Sequence, residues 1–159
     1  RFSDQMEDIV VVSPDIGSVA RCRKFAEKLE VPLAIIDKRR PKANVSEIMN
    51  IIGDVRDRRV ILVDDLIDTG GTIVNAANAL AEIGALEVHA CCTHAVLSGP
   101  ALDRIRHSAI RELVTLITIP MPAERARPQI RVLSVADVFA EAIERIYGEL
   151  SISTIFTQQ

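Results

Sequence analysis

Short apolar runs rich in β-branched residues recur along the chain: Ile9 to Ser13 (IVVVS), Leu33 to Asp37 (LAIID), Val60 to Asp64 (VILVD) and Val88 to Thr93 (VHACCT). Strands covered on both faces read this way, as unbroken hydrophobic stretches without polar alternation. The segments between them keep a helical period instead. Val19, Cys22, Ala26 and Leu29 share one helical face, as do Ile73, Ala76, Ala77, Leu80 and Ile83, with Gly84 as the stop. Two-sided strands alternating with one-sided helices imply βαβ units, so the predicted fold is α/β, a mainly parallel sheet flanked by helices. With 159 residues, 48% of them hydrophobic, the chain has material for one continuous core and not for two.

Later segments extend the pattern. From Val45 to Val60, Ile48, Met49, Ile51 and Ile52 precede Gly53-Asp54 and a charged turn at Arg56 to Arg59, which predicts a hairpin arm joined to the sheet. Leu113 to Ile119 reads as a strand and Ile130 to Leu133 as a short one. A final helix follows with Val138, Phe139, Ala142, Ile143 and Ile146 on its inner side, and Ser134 ahead of Asp137 is its expected start. Ligands of open α/β sheets bind beyond the carboxyl ends of the strands. Three loops answer to that position: Ser13 to Val19, Asp64 to Ile73, and Thr93 to Ala101.

Composition narrows the partners. A formal charge of −3 with scattered basic residues gives no footprint for nucleic acid or for an anionic membrane. No apolar run approaches the roughly 20 residues that span a bilayer, and no signal-peptide pattern is present. Cys22, Cys91 and Cys92 lack metal-ligand spacing, and the adjacent pair sits in an apolar run, so buried reduced thiols and a cytoplasmic setting are expected. Arg1 to Asp4 carry no initiator Met and lead almost directly into a strand, as expected of a piece of something longer.

The segment richest in chemistry is VILVDDLIDTGGT, Val60 to Thr72. An apolar strand delivers Asp64 and Asp65, a third carboxylate follows at Asp68, and Thr69-Gly70-Gly71-Thr72 opens a helix. The glycines let backbone approach a ligand and turn successive amides inward. The helix amino terminus favours an anion, and the two threonines add hydroxyl donors. That combination is a monophosphate cradle. The acceptor oxygens of Asp64 and Asp65 suit a vicinal diol, so a sugar phosphate fits with its phosphate inward. A plain turn with Asp caps would account for Asp68 and one glycine, but not for an acidic pair after a buried strand.

VDDLIDTGGT resembles the phosphoribosyl pyrophosphate-binding motif shared by type I phosphoribosyltransferases and ribose-phosphate pyrophosphokinases. SPDIG (Ser13 to Gly17), AIIDKRRPKANVSEIMNIIGDV (Ala34 to Val55), THAVLSGPA (Thr93 to Ala101), IRVLSVADVFAEAI (Ile130 to Ile143) and SISTIF (Ser151 to Phe156) are similar, in order and spacing, to the carboxyl-terminal half of the pyrophosphokinases. The likeness spans nearly every residue. It implies a type I phosphoribosyltransferase-like domain over residues 1–159 with a hairpin and flexible-loop arm, and an amino-terminal domain, source of much of the ATP site, that is absent. It also implies transfer of the β,γ-pyrophosphoryl group of ATP to the C1 hydroxyl of ribose 5-phosphate, giving phosphoribosyl pyrophosphate and AMP. The fragment alone is expected to bind ribose 5-phosphate and turn over little.

The resemblance assigns further residues. Asp64, Asp65, Asp68, Thr69, Gly70, Gly71 and Thr72 hold ribose 5-phosphate. Asp15, Ile16, Gly17 and Ser18 form the pyrophosphate loop, with Asp15 as a Mg2+ ligand and Ser18 where the family usually has a second glycine. Lys38 and Arg40, in the basic run Lys38 to Lys42, contact ATP phosphates. Ser151, Ser153 and Phe156 lie near a regulatory site for ADP and phosphate, and the family is homo-oligomeric, a hexamer. Bland readings stand beside these: a strand-to-helix turn capped by Asp15, a solvated basic turn, and a tail in which Ile152, Ile155 and Phe156 staple the chain end to the sheet. His94 is expected to be structural, while His89 and His107 carry no signal. A non-catalytic synthetase-associated subunit and a free-standing phosphoribosyltransferase are the rival functions.

Overall fold

Each apolar run becomes a strand of one sheet in the computed structural model, which describes residues 8–39 and 48–156. The elements are β1 (Ile9–Ser13), α1 (Val19–Leu29), β2 (Leu33–Arg39), β3 (Ile48–Ile52), β4 (Arg59–Ile67), α2 (Gly71–Glu82), β5 (Glu87–Ala95), α3 (Ala101–Arg106), β6 (Ile110–Leu116), β7 (Ile130–Leu133) and α4 (Ala136–Tyr147). The seven strands lie in the order β3-β2-β1-β4-β5-β6-β7. All neighbours pair in parallel except β3, which runs antiparallel to β2 with Ile35 opposite Ile52 and Arg39 opposite Ile48. The arm expected within Val45 to Val60 is paired differently: β3 does not fold back on β4 across the turn at Gly53 to Arg59 but lies antiparallel to β2, and forms one edge of the sheet. Gly53 ends that strand with φ 113°, and a Cβ there would lie 2.7 Å from the Ala34 Cβ, so only glycine fits.

The main core lies between one face of the sheet and the helices α2 and α3. Val10, Val12, Leu62, Val60 and Leu113 meet Ile73, Ala76, Ala77, Leu80 and Ile105 there, all buried. Among the described residues the opposite face is covered by α1, where Cys22 and Ala26 close over Val11 and Val63. This is why the predicted helical faces of α1 and α2 contain small residues: close helix-on-sheet approach leaves little volume for larger ones.

Several expectations need correction. Strand β6 spans Ile110–Leu116 rather than Leu113 to Ile119, and β2 runs to Arg39 rather than Asp37. Strands β4 and β5 run three and two residues past their expected ends, because their pairing continues to Ile67 opposite Ala95. Helix α3, unforeseen, starts after Pro100 and buries only Ala101 and Ile105, too short a period to register. The final helix also departs from its reading. Phe139, Ile143 and Ile146 are more than 60% exposed, and no residue of α4 is buried. Period reports that a helical face needs cover, not that this chain's own sheet supplies it. The N-cap of the helix is Val135, one residue past the expected Ser134, whose hydroxyl accepts from the Ala136 amide at 3.1 Å.

Candidate functional site

Strand β4 carries the site. Its inner positions Val60, Leu62 and Val63 are buried, while Asp64, Asp65 and Leu66 emerge at the carboxyl end, still within the strand. Continued pairing with β5 thus holds both carboxylates on rigid backbone rather than on a loop. The chain then turns through Asp68 and Thr69 to Gly70, the N-cap of α2, at φ 76° and ψ −2°. This left-handed conformation is open to glycine at little cost. The first bond of α2 runs from the Val74 amide to the Gly70 carbonyl at 3.1 Å. The amides of Gly71, Thr72 and Ile73 therefore have no carbonyl of their own helix to meet, and they share the positive end of its dipole.

These residues and the β1–α1 turn line one cavity of about 450 Å³: Asp15, Gly17, Ser18, Arg21 and Asp64 through Ile73. The structure brings together the predicted sugar-phosphate residues and, from the other group, Asp15, Gly17 and Ser18; Ile16 is exposed. Asp15 caps the turn, its Oδ1 accepting from the Ser18 amide at 2.8 Å. Ser18 itself is right-handed, φ −86°, so the position makes no demand for glycine. Its buried hydroxyl lies 3.4 Å from the Asp64 carboxylate.

Support for the phosphate turn comes from the Thr93 to Ala101 segment. The Ser98 hydroxyl donates to the Asp68 carboxylate, and the Ser98 amide to the Asp68 carbonyl at 3.0 Å. From α3, Arg104 donates to the Thr69 carbonyl at 3.0 Å and stands beside Gly71. Arg125, in the short 3-10 turn Ala123–Arg125, holds the Leu97 carbonyl in turn. The SGP turn is thus a brace behind the cradle. His94 bonds through Nδ1 to the Thr118 hydroxyl at 2.9 Å, and that hydroxyl donates to the Thr93 carbonyl.

The pKa values of two neighbouring carboxylates are shifted in opposite directions. Burial pushes Asp64 above the usual carboxylate range, and the charges of Asp15 and Asp65 push the same way against the Asp65 amide, which donates to Asp64 at 2.9 Å. For Asp65, partial desolvation works upward, but the Arg21 guanidinium and hydrogen bonds hold it below its ordinary value. Arg21 reaches from α1 to Asp65 at 2.7 Å and to Asp64 at 3.6 Å. The three thiols are free and raised by burial, Cys91 to about 12, so none of them is poised as a nucleophile.

Among the described residues no three His, Cys, Asp or Glu side chains are placed to hold a metal ion by themselves. The donor set fits a different kind of site. Asp15, with one oxygen engaged by the Ser18 amide, suits Mg2+ that arrives on phosphates and takes one or two carboxylates from protein.

Other predicted residues lie elsewhere. Lys38 is on β2, its backbone opposite Met49, and Arg40 falls outside the described residues. In the tail, Ser151 and Ser153 hydroxyls bond each other at 2.7 Å, Ile155 is buried and Phe156 is 71% exposed. Sequence reasoning missed Arg21, Arg104 and Arg125. Arg21 directly precedes the buried Cys22 on α1, one turn after the pyrophosphate loop, which was the only cue to it.

A family model described as the phosphoribosyl synthetase-associated domain matches residues 37–157. The chain belongs to that family. The ribose-phosphate pyrophosphokinase of Clostridium tetani is 64% identical over 153 residues, covering 96% of this chain and 48% of the relative. That of Bacillus caldolyticus is 59% identical over 154 residues, with 97% and 49% covered. This phosphoribosyl synthetase-family chain thus spans about half the length of the curated relatives it matches. The crystal structure of phosphoribosylpyrophosphate synthetase from Mycobacterium smegmatis superposes with a TM-score of 0.84 at 41% identity, over 93% of this chain and 48% of that one. An adenine phosphoribosyl transferase from Trypanosoma brucei superposes at 0.57 with 20% identity, over 89% and 72%, a likeness of fold alone. The type I phosphoribosyltransferase-like fold expected from the motif is the fold observed.

Proposed function

We propose that this chain is the ribose 5-phosphate-binding part of a ribose-phosphate pyrophosphokinase. One observation carries the reading: a carboxylate pair fixed on the end of β4 and a glycine turn opening α2 face the same cavity. A sugar phosphate satisfies both at once. Its phosphate takes the amides of Gly71 to Ile73 and the hydroxyls of Thr69 and Thr72, and its vicinal hydroxyls donate to Asp64 and Asp65. The sugar's C1 hydroxyl then points toward the Asp15 to Ser18 turn, whose backbone receives the incoming phosphates.

In the whole protein the C1 oxygen attacks the β-phosphorus of ATP, the bond from that phosphorus to the α,β-bridging oxygen breaks, and AMP leaves while the hydroxyl proton passes to solvent. Such a transfer needs positioning and charge neutralisation more than a covalent nucleophile, and Lys38 and Arg40 supply cations for it. Mg2+, when bound, neutralises phosphate charge; Asp15 would hold it. The rest of the nucleotide site belongs to the portion of the relatives beyond this chain, so the chain alone binds ribose 5-phosphate with little turnover. The cytoplasm, homo-oligomeric assembly, and ADP or phosphate as effectors at Ser151, Ser153 and Phe156 complete the proposal. No helix among the described residues is long and apolar enough to cross a bilayer.

Calorimetric titration of this chain with ribose 5-phosphate tests the reading. Saturable binding is expected, and Asp65→Asn and Thr72→Val should each remove it with the fold intact, since both side chains are exposed. Unchanged affinity in both variants would defeat the cradle argument.

A further inference from the structure

Asp64 and Asp65 pose an electrostatic problem. They are consecutive carboxylates, Asp15 lines the same cavity, and the ligand proposed for it carries a further negative charge. Left alone, adjacent carboxylates repel, turn apart and solvate separately. One cation prevents this. Arg21 spans the pair, with Nη2 at 2.7 Å from the Asp65 Oδ2 and Nη1 at 3.6 Å from the Asp64 Oδ1. The remaining geometry is cooperative: the Ser18 hydroxyl and the Asp65 amide both address the Asp64 Oδ1, at 3.4 and 2.9 Å. Asp64 is therefore held from three sides by groups of α1, the β1–α1 turn and its own strand. Asp65 is held by Arg21.

From this arrangement we infer that Arg21 is a positioning residue that sets the two carboxylates as a fixed acceptor for the 2- and 3-hydroxyls, and so makes the site selective for ribose over 2-deoxyribose phosphates. The inference rests on the reading of the 64–72 loop as a ribose 5-phosphate site. Its logic is that a site built to accept a hydroxyl discriminates only as well as its acceptors are oriented. Among the described residues Arg21 bonds the carboxylates and no group of the phosphate turn. An ion pair with Arg21 41% and Asp65 57% exposed adds little to folding, so the guanidinium's value lies in orientation rather than stability. A guanidinium fork spans two carboxylates where an ammonium meets one.

The test compares ribose 5-phosphate with 2-deoxyribose 5-phosphate by calorimetric titration of the chain and of Arg21→Gln and Arg21→Lys, with melting temperatures measured alongside. The two ligands share the phosphate and differ in one hydroxyl. Arg21→Gln should weaken ribose 5-phosphate binding by about tenfold, the scale of one charge-assisted hydrogen bond. The deoxy ligand should weaken much less, so the preference between the two collapses while the melting temperature holds. Arg21→Lys should recover part of the preference. Equal losses for both ligands, or a preference unchanged in Arg21→Gln, would overturn the inference while leaving the ribose 5-phosphate reading intact. Failure of the unaltered chain to bind ribose 5-phosphate would overturn both.

Discussion

Gly70 and Gly71 are adjacent in the phosphate turn, yet a methyl group should act on them in opposite senses. Gly70 sits at φ 76°, where a Cβ would find the Ala101 backbone at 3.5 Å, an ordinary contact. The cost of Gly70→Ala is therefore conformational rather than steric, about 1–2 kcal/mol for an L-residue in the left-handed region. Gly71 is the first residue of α2 with no positive φ, and its Cβ would lie 3.6 Å from an Arg104 nitrogen, again without overlap. Replacing glycine by alanine in a helix gains up to about 0.5–1 kcal/mol. For a domain of this size each kcal/mol moves the melting temperature by about 2–4 °C. Thermal unfolding should thus show Gly70→Ala lower by about 2–8 °C and Gly71→Ala unchanged or slightly higher. Ribose 5-phosphate affinity should fall in Gly70→Ala, because relaxation from the left-handed region turns the following amides off the phosphate. An unchanged melting temperature in Gly70→Ala, or equal drops in both variants, would refute the strain argument.

The remaining tests separate the site from its frame. Asp64→Asn should raise the melting temperature at neutral pH while weakening ribose 5-phosphate binding. The folded carboxyl has a raised pKa, so the native state holds more protons than the unfolded one between the ordinary value and the raised one. Its ionisation costs stability as pH rises through that window, and the advantage of the variant should vanish as pH falls through it. Arg104→Ala should loosen the cradle by removing the bond to the Thr69 carbonyl, lowering ribose 5-phosphate affinity a few-fold in the same titration with little change in melting temperature. Gly53→Ala should destabilise by about 2 kcal/mol or more in urea unfolding, because a positive φ and a 2.7 Å approach to Ala34 combine.

What the sequence shows of this molecule follows from which part of a residue does the structural task. Val10 to Val12, Leu62 and Leu80 act through apolar bulk at a fixed period, so their strands and helices could be read directly. Gly70 and Gly71 act through backbone freedom, and Thr69, Thr72, Asp64 and Asp65 through type and adjacency, which a short motif preserves. Strand ends were less legible. Nothing in Asp65 carries the expected strand past Asp64, since an exposed acid has poor strand propensity, and only pairing to β5 keeps the chain extended to Ile67.

Arg21, Arg104 and Arg125 were missed for a different reason. Each acts at the end of a long side chain on a segment far from its target, on Asp65, the Thr69 carbonyl and the Leu97 carbonyl. A reach of that kind imposes no spacing along the chain, because the partner is chosen by the order of strands in the sheet. Once β1 is known to pair with β4, however, the first turn of α1 must stand beside the end of β4, and a cation there has the acidic pair as its nearest counter-charge. The arginine becomes readable only after topology is known. The same step fails for α4, where pattern and topology together leave Phe139, Ile143 and Ile146 uncovered. An amphipathic period specifies that burial is needed, and only a surface present in the structure can say against what.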